Sequence, residues 1–494
     1  MTSRNRWMVL AVVSSALLLI VIDMTVLYTA LPRLTADLGA TASQKLWIVN
    51  AYALTMAGLL PAAGSLGDRF GPRRMFLSGL VVFGLASVLA AFAPTATVLI
   101  FGRVILATGA AMMMPATLSI IRHTFEDEDE RSLAIGVWAA VAAGGAAFGP
   151  ILGGLLLEFF WWGSVFLINL PIVVLALLAG VIFVQPHRGA GGHPFSLLAS
   201  VQIMVGLVAT TLAIKELGKS EPSLMLIAVT AVIGVGFVAI FIRGQMRAAH
   251  PMLDLRVFAN PAFSSAVVAA LIASAALMGL SLAMTQRFQL VQGLSPLEAG
   301  IALLPMPLAS FVAGPVAGRI LPRVGSRRLL PWSMALIALG LGLYLLSPEL
   351  RVLQGAALAL IGAGVGATMT TSSAAILQNA PEESTGTAAS VEEVSYELGG
   401  ALGVTIFGSI LSAVYMHGFA PPAGLPDPDL ARIGIDQAMA YANGLDPSLS
   451  HGLRAAAAIA FEGSFVAVLV VALVMLVIGG LGIALWNRGG REYS

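Results

Sequence analysis

Residues 64–74 read GSLGDRFGPRR and residues 318–328 read GRILPRVGSRR, 254 residues further along. Each is a short, arginine-rich, glycine-bearing turn between two long apolar runs. Glycines suit such a turn because they permit a tight return and let the flanking helices come close. At the same offset of 254, Gly145 and Gly149 fall on Gly399 and Gly403. Two agreeing offsets point to a duplicated helical unit. In the second turn Pro322 stands where the first has Asp68, so the copy is expected to keep the turn and lose the acidic contact.

The composition says what kind of unit is duplicated. Of 494 residues 58% are hydrophobic and only 10% charged, with a mean hydropathy of +0.92. Soluble chains have about a quarter of their residues charged. Barrel strands alternate apolar and polar residues, whereas these runs are apolar on every face over about 20 residues. The expectation is an all-α polytopic membrane protein. The first run extends from Trp7 to Leu31 behind Arg4 and Arg6, with no cleavage pattern, and reads as a retained helix. Others follow at about 46–66, 75–93, 96–120, 132–157, 163–184, 195–214, 223–242, 263–285, 298–321, 329–347, 352–377, 386–414 and 458–486, which predicts fourteen spans. The repeat pairs helices 1 to 6 with 9 to 14 and leaves two helices inserted, flanked by turns at PHRGAGGHP and EPS. The expected organisation is a six-helix bundle over 1–190, two inserted helices over 191–245, and a second bundle over 246–494. A long external loop at about 415–457 in that second bundle could form a short amphipathic hairpin. With the N-terminus in the cytoplasm, seventeen arginines near helix ends lie inside and eight basic residues outside, which predicts that both termini are cytoplasmic.

Several chemistries are excluded. There is no cysteine, so no disulfide, thiolate metal site or thiol nucleophile. The six histidines fall in loops or at helix ends without metal-ligand spacing, and a net charge of +1 makes no case for nucleic acid. No HExxH pattern or histidine cluster lies within the spans, so no enzyme is expected.

Charged groups inside the spans are few. Residues 391–407, VEEVSYELGGALGVTIF, put Glu392, Glu393 and Glu397 into a segment that otherwise reads as a spanning helix. Such groups are costly in a membrane and mark an ion or substrate path. Glu393 and Glu397 are i and i+4 and share a face, with Glu392 about 100° round. Asp23 lies deep in the first run and Arg103 in the fourth, where a buried cation needs a partner or water. At about 1.5 Å per residue from the cytoplasmic end, Asp23 lies roughly 24 Å along its helix and Glu393 and Glu397 roughly 10 to 16 Å along theirs. Asp23 therefore reads as one protonation site, and the Glu393 and Glu397 face as a second that also meets a cation.

Gly64-x-Leu66-x-Asp68-Arg69-x-Gly71-x-Arg73-Arg74 resembles the loop signature of the major facilitator superfamily. Gly136-x8-Gly145-x3-Gly149-Pro150-x2-Gly153-Gly154 resembles the signature of its antiporter branches, where glycines give a flat face and Pro150 a kink, suiting a seam between the bundles along which helices rock. Leu99-x3-Arg103-x5-Gly109 resembles a further signature of the same proteins. Asp23-x-Thr25-Val26-Leu27, Trp162 to Pro171 (WGSVFLINLP), Pro251 to Phe258 (PMLDLRVF) and Glu392-Glu393-x3-Glu397-Leu398-Gly399 are similar to motifs of the fourteen-helix drug:proton antiporters, SmvA-type and QacA-type exporters of quaternary ammonium compounds in particular. The resemblance implies a major facilitator fold and a proton-coupled multidrug efflux antiporter of the bacterial cytoplasmic (inner) membrane. It also implies a monomer that exports lipophilic cations such as antiseptics, dyes and viologen-like compounds, driven by the proton motive force without a cofactor. One departure is that the tenth span, Ile301 to Ile320, lacks the extra acid of QacA-like proteins, which sets dications apart. Exporting an endogenous metabolite or lipid would require little change in sequence.

Overall fold

The structure, a computed structural model, describes residues 3–40, 42–186, 196–217, 223–248, 255–347, 350–380 and 385–489. Its helices in chain order are α1 (Ser3–Asp37), α2 (Ala42–Phe70), α3 (Pro72–Ala91), α4 (Ala96–Thr124), α5 (Glu128–Phe159), α6 (Ser164–Leu167), α7 (Asn169–Phe183), α8 (Leu197–Leu217) and α9 (Leu224–Arg247). They continue as α10 (Pro261–Gln286), α11 (Pro296–Leu303), α12 (Pro305–Val324), α13 (Ser326–Leu346), α14 (Arg351–Gln378), α15 (Thr385–Gly418), α16 (Pro428–Arg432), α17 (Ile435–Ala442) and α18 (Pro447–Gly489). No strand occurs among the described residues. This is what hydrocarbon allows an open chain, since only a helix satisfies its backbone within one segment.

Among the described residues eleven helices are long and apolar enough to cross a membrane, with α6–α7 and α11–α12 each counting as one broken span. The α2 helix, bent by 49° between Leu60 and Ala62, makes a twelfth. The bend falls at Pro61, as expected where a ring removes a backbone donor. The two other expected positions hold α5, of 32 residues, and a shorter apolar stretch of α8, Leu198–Ile214.

The duplication is visible in geometry. Gly71 and Gly325, again 254 apart, both adopt positive φ, 91° and 79°. Their amides donate to equivalent carbonyls, Gly67 at 2.9 Å and Leu321 at 2.8 Å. A side chain in that backbone region is strained, which explains glycine at both positions. The second turn is kept although Pro322, inside α12, replaces the acid. Packing repeats in the same way, with α1 on α5 matched by α10 on α15, and α3 on α4 matched by α13 on α14.

Two large apolar clusters form. One is built from residues such as Leu17, Phe83, Trp138 and Phe166 and also takes in Ala374 and Ala389 from the second half. The other contains Phe263, Met334, Phe407 and Phe461. A small third cluster, Ala62, Ala199 and Phe241, joins α2 to the inserted helices α8 and α9. The boundary expected near 190 and most of both turn stretches flanking α8 lie outside the described residues, as does the first half of PMLDLRVF.

The stretch over 415–457, expected as a long external loop or a short amphipathic hairpin within it, is largely helical. The α15 helix runs on to Gly418, α16 and α17 follow, and the alanine-rich stretch from Ser450 is the start of the 43-residue α18. The Asp427 carboxylate caps α16 by accepting from the Leu430 amide at 3.3 Å, and the Tyr415 hydroxyl donates to the Ala431 carbonyl at 3.1 Å. Ile435, Ala438 and Ala442 then pack in the same cluster as Leu453 and Phe461. Burying that face is why the segment folds back as a cap.

Candidate functional site

Asp23 interrupts the otherwise apolar middle of α1 and is 2% exposed. Its cost is offset by a partner from α4: Arg103 Nη1 lies 2.6 Å from Asp23 Oδ2, and Arg103 is itself 2% exposed. Burying such a pair demands further hydrogen bonds to the remaining polar atoms. Asn169 Nδ2, at the start of α7, donates to Asp23 Oδ1 at 3.0 Å and sits 3.2 Å from Ser87 Oγ of α3. On the other side α2 provides a seat for the guanidinium. Arg103 Nε donates to the Ile48 carbonyl at 3.3 Å, and one turn on, the Tyr52 ring centroid lies 4.3 Å from Arg103 Cζ. Asp23 and Arg103 were separate features of the sequence, and the fold makes them one ion pair tied to five helices.

The three glutamates divide as helix geometry requires. Glu392 and Tyr396 face α14, where Ser373 Oγ donates to Glu392 Oε1 and the Tyr396 hydroxyl donates to the Met369 carbonyl at 3.1 Å. The Ser274 hydroxyl of α10 donates to the Tyr396 carbonyl at 2.6 Å. Glu393 and Glu397 continue the face of Ala389, which packs in the first-half cluster. Glu392 and Glu393 are fully buried and Glu397 is half-buried. Glu397 lies on α15 and Tyr52 on α2, and these two helices pack on each other across the two halves. By position along its helix, at about 1.5 Å per residue, Glu392 is roughly 10 Å and Glu397 roughly 18 Å from the start of α15. The acids of α15 therefore lie nearer the end that carries the glycine turns, and Asp23 lies further from it.

Glycines set the helix crossings. A Cβ built on Gly136 would lie 2.7 Å from the Gly314 carbonyl oxygen, and one on Gly318 would lie 2.5 Å from that of Ser132, so α5 and α12 touch backbone to backbone between the two halves. Gly145 and Gly149 do something else. A Cβ there would strike Leu18 and Val21, and the Thr25 side chain, all on α1. The equivalent Gly399 and Gly403 meet Leu271 and Ala275 of α10. The expectation that Gly149 lines the seam between bundles is therefore corrected, because its crossing is internal to the first half and Gly136 is the seam residue. Pro150 and Gly153 lie within α5, and Gly154 faces open space. Gly149→Leu is accordingly expected to destabilise by about 1–3 kcal/mol or more through overpacking, seen as a lower thermal unfolding temperature in detergent. Unchanged stability would contradict this packing.

At the turn signature, Arg73 Nη2 donates to the Val181 carbonyl at 2.7 Å, fastening the start of α3 to the end of α7. The Arg69 guanidinium lies 5.4 Å from the neighbouring Phe70 ring, Arg74 is exposed, Gly64 is buried, and Asp68 is half-buried in the last turn of α2.

A sequence model described as Major Facilitator Superfamily matches residues 13–404. The chain belongs to the major facilitator superfamily. It is 40% identical over 486 residues to the methyl viologen resistance protein SmvA of Salmonella typhimurium, with 98% of each chain covered. It is 37% identical over 481 residues to the multidrug efflux pump LfrA of Mycolicibacterium smegmatis, covering 96% of this chain and 95% of that one. Among solved structures it is similar in fold to the human organic anion transporter MFSD10 (TETRAN), with a TM-score of 0.62 at 15% identity over 95% of this chain and 99% of that one. A bacterial homologue of the human lysosomal transporter Spinster gives 0.57 at 19% identity, over 99% and 98%. As a member of this superfamily the protein is a membrane transporter.

Four residues of the site in this superfamily member were not singled out by sequence reasoning. Asn169 sits inside WGSVFLINLP, which was noticed as a motif, and an asparagine in an apolar run is a readable signal. Tyr52 and Ser373 have no local pattern that separates them from ordinary helix residues. Arg122 was counted only as a basic helix end. Its Nη1 donates to the Leu377 carbonyl at 2.9 Å and its Nη2 to that of Ala380 at 3.4 Å, and Gln378 Nε2 donates to Glu128 Oε1 at 3.1 Å. These bonds join the two halves at the end that carries the glycine turns.

Proposed function

We propose that the protein is a proton-coupled multidrug efflux antiporter that exports lipophilic and quaternary ammonium cations across the bacterial cytoplasmic membrane, with both termini in the cytoplasm. The observation that carries this reading is the buried Asp23–Arg103 pair in the first half together with Glu392, Glu393 and Glu397, which α15 of the second half carries inside its membrane-crossing stretch Val391–Gly418. An ion pair of this kind can report a proton, because protonating Asp23 removes the counter-charge that holds Arg103. A carboxylate on the facing half can take a proton or an organic cation, but not both. The names of the relatives, a methyl viologen resistance protein and a multidrug efflux pump, support the same substrate class. Asp23, Glu393 and Glu397 are assigned to proton and cation handling. Glu392, held by Ser373, orients that face from behind.

The reading is tested by a protection panel in cells lacking their own pumps, followed by flux in liposomes with pH and voltage imposed separately. Resistance to lipophilic cations and proton-driven flux are expected, and loss of both would sink the proposal. Asp68 lies in the turn, far along α2 from Tyr52, and is assigned to the balance between conformations. Asp68→Asn is expected to slow turnover about tenfold or more while changing equilibrium cation affinity less than about threefold. A collapse of affinity with conformational exchange intact would contradict that assignment.

A further inference from the structure

Each oxygen of the buried Asp23 carboxylate faces one N–H donor: Arg103 Nη1 lies 2.6 Å from Oδ2, and Asn169 Nδ2 lies 3.0 Å from Oδ1. The two donors are not equivalent. A guanidinium has no acceptor, so it can never receive a hydrogen bond from a protonated oxygen. A side-chain amide carries an acceptor beside its donor, and a half-turn about its terminal, roughly two-fold torsion exchanges them. Asn169 Nδ2 also lies 3.2 Å from Ser87 Oγ, a hydroxyl able to accept from an N–H or donate to a carbonyl. Both residues are fully buried, and Asn169 Oδ1 has no hydrogen-bond partner. A buried carbonyl without a partner is costly and calls for an explanation. The charged group facing Asp23 is Arg103 from α4, and the titratable group behind it is Tyr52 of α2, whose ring centroid lies 4.3 Å from Arg103 Cζ. The other helices around Asp23 add no charge at this depth: α6 and α7 have none, α3 none after Arg74, and α5 none between Arg131 and Glu158.

We propose that Asn169 positions the transported proton: its amide donates to Asp23 Oδ1 while the carboxylate is ionised, and turns to accept from that oxygen once it is protonated. The inference rests on the antiporter reading above and deepens it, assigning the proton to one oxygen and naming what holds it there. The proton arrives on Oδ1 and leaves from Oδ1, and Asn169 keeps both of its own throughout. In the turned state the amide carbonyl, left over while Asp23 is ionised, gains the Asp23 O–H and the Ser87 O–H. One end of the amide is left over in either orientation, so neither is locked. Arg103 stays beside Oδ2 in both, seated on the Ile48 carbonyl and the Tyr52 ring, but faces a neutral partner in the second. Taking up the proton therefore loosens the tie between α1 and α4 without scattering the site.

The experiment uses full-length protein in two measurements. One is tetraphenylphosphonium flux in liposomes as a function of pH, and the other is the infrared difference between low and high pH with asparagine side chains labelled at the carbonyl carbon. Asn169→Leu is expected to move the midpoint of the flux profile upward by about one pH unit, because the ionised carboxylate loses a charge-assisted bond and the protonated one only a weaker neutral bond. In the wild type an asparagine carbonyl band is expected to shift to lower wavenumber on acidification, as the carbonyl gains two donors, and Ser87→Ala is expected to shrink that shift. An asparagine that only fills space would cost stability without moving the midpoint, and one that only donates would show no such band. A wild-type midpoint in a folded Asn169→Leu, or the lack of an acid-induced band sensitive to Ser87→Ala, overturns the proposal. Should Asn169→Leu fail to fold, the band decides alone. Wild-type flux that no pH difference drives overturns the antiporter reading and this inference together, whereas pH-driven wild-type flux with an unmoved midpoint overturns this inference only.

Discussion

Asp23→Asn is expected to reduce proton-driven efflux by about a hundredfold or more and to destabilise the protein at the same time. The substitution leaves Arg103 charged and buried without its carboxylate, and removing one partner of a buried pair costs about 3–5 kcal/mol. The remaining contacts, to the Ile48 carbonyl and the Tyr52 ring, cannot neutralise it. Stability and coupling are separable, because the double variant Asp23→Asn with Arg103→Gln removes the orphaned charge. It is expected to recover most of the lost unfolding temperature without recovering coupled flux. Wild-type voltage dependence in Asp23→Asn would reduce the pair to a structural clamp.

The second large effect is on binding. At an effective dielectric constant of about 20, two unit charges about 4 Å apart attract by about 4 kcal/mol, and desolvation offsets part of this. Glu397→Gln is therefore expected to weaken affinity for a monovalent lipophilic cation about ten- to a hundredfold, with Glu393→Gln affecting it less because Glu393 is fully buried. Energetics explains why a second acid is needed. Expelling one cation against an inside-negative potential costs about 2.3 kcal/mol per 100 mV, and each entering proton gains as much. A one-for-one exchange runs only on the pH difference, so a two-proton cycle with separate sites works where that difference is small. Titration of purified variants with a fluorescent cation reads the affinity directly. Unchanged affinity in Glu397→Gln would remove this residue from the binding face.

What the sequence made legible was whatever repeats or has a period. The offset between the two arginine turns located both positive-φ glycines, Gly71 and Gly325, because only backbone geometry is at stake there. The i, i+4 spacing put Glu393 and Glu397 on one face and Glu392 on another, as observed. What could not be read was tertiary. Asp23 and Arg103 are 80 residues apart in sequence, and nothing local says that α1 brings one against the other. Gly149 looked like a seam residue because a small-residue stripe reports close approach without saying to which helix. Tyr52 was passed over because an aromatic residue in an apolar helix is ordinarily core. The 415–457 stretch left two readings, a loop from its prolines and a short amphipathic hairpin from its alanine-rich segments, and Ile435, Ala438 and Ala442 have enough apolar face to fold it back onto α18.

The two helices at the crossing between the halves, α2 and α12, occupy equivalent places in the repeat but have different surroundings. The face of α12 that carries Phe311, Val312 and Val316 is exposed, and in a bilayer it slides against fluid lipid chains. From Ala51 to Gly64 the described side chains of α2 are buried or half-buried, and a Cβ on Gly58 would lie 2.5 Å from Met204 Cβ of α8. One lever thus runs lubricated while the other runs against a solid bearing supplied by the inserted pair. Rocking of the halves, which the antiporter reading calls for, would then be lopsided, with most of the friction on the side that holds α2.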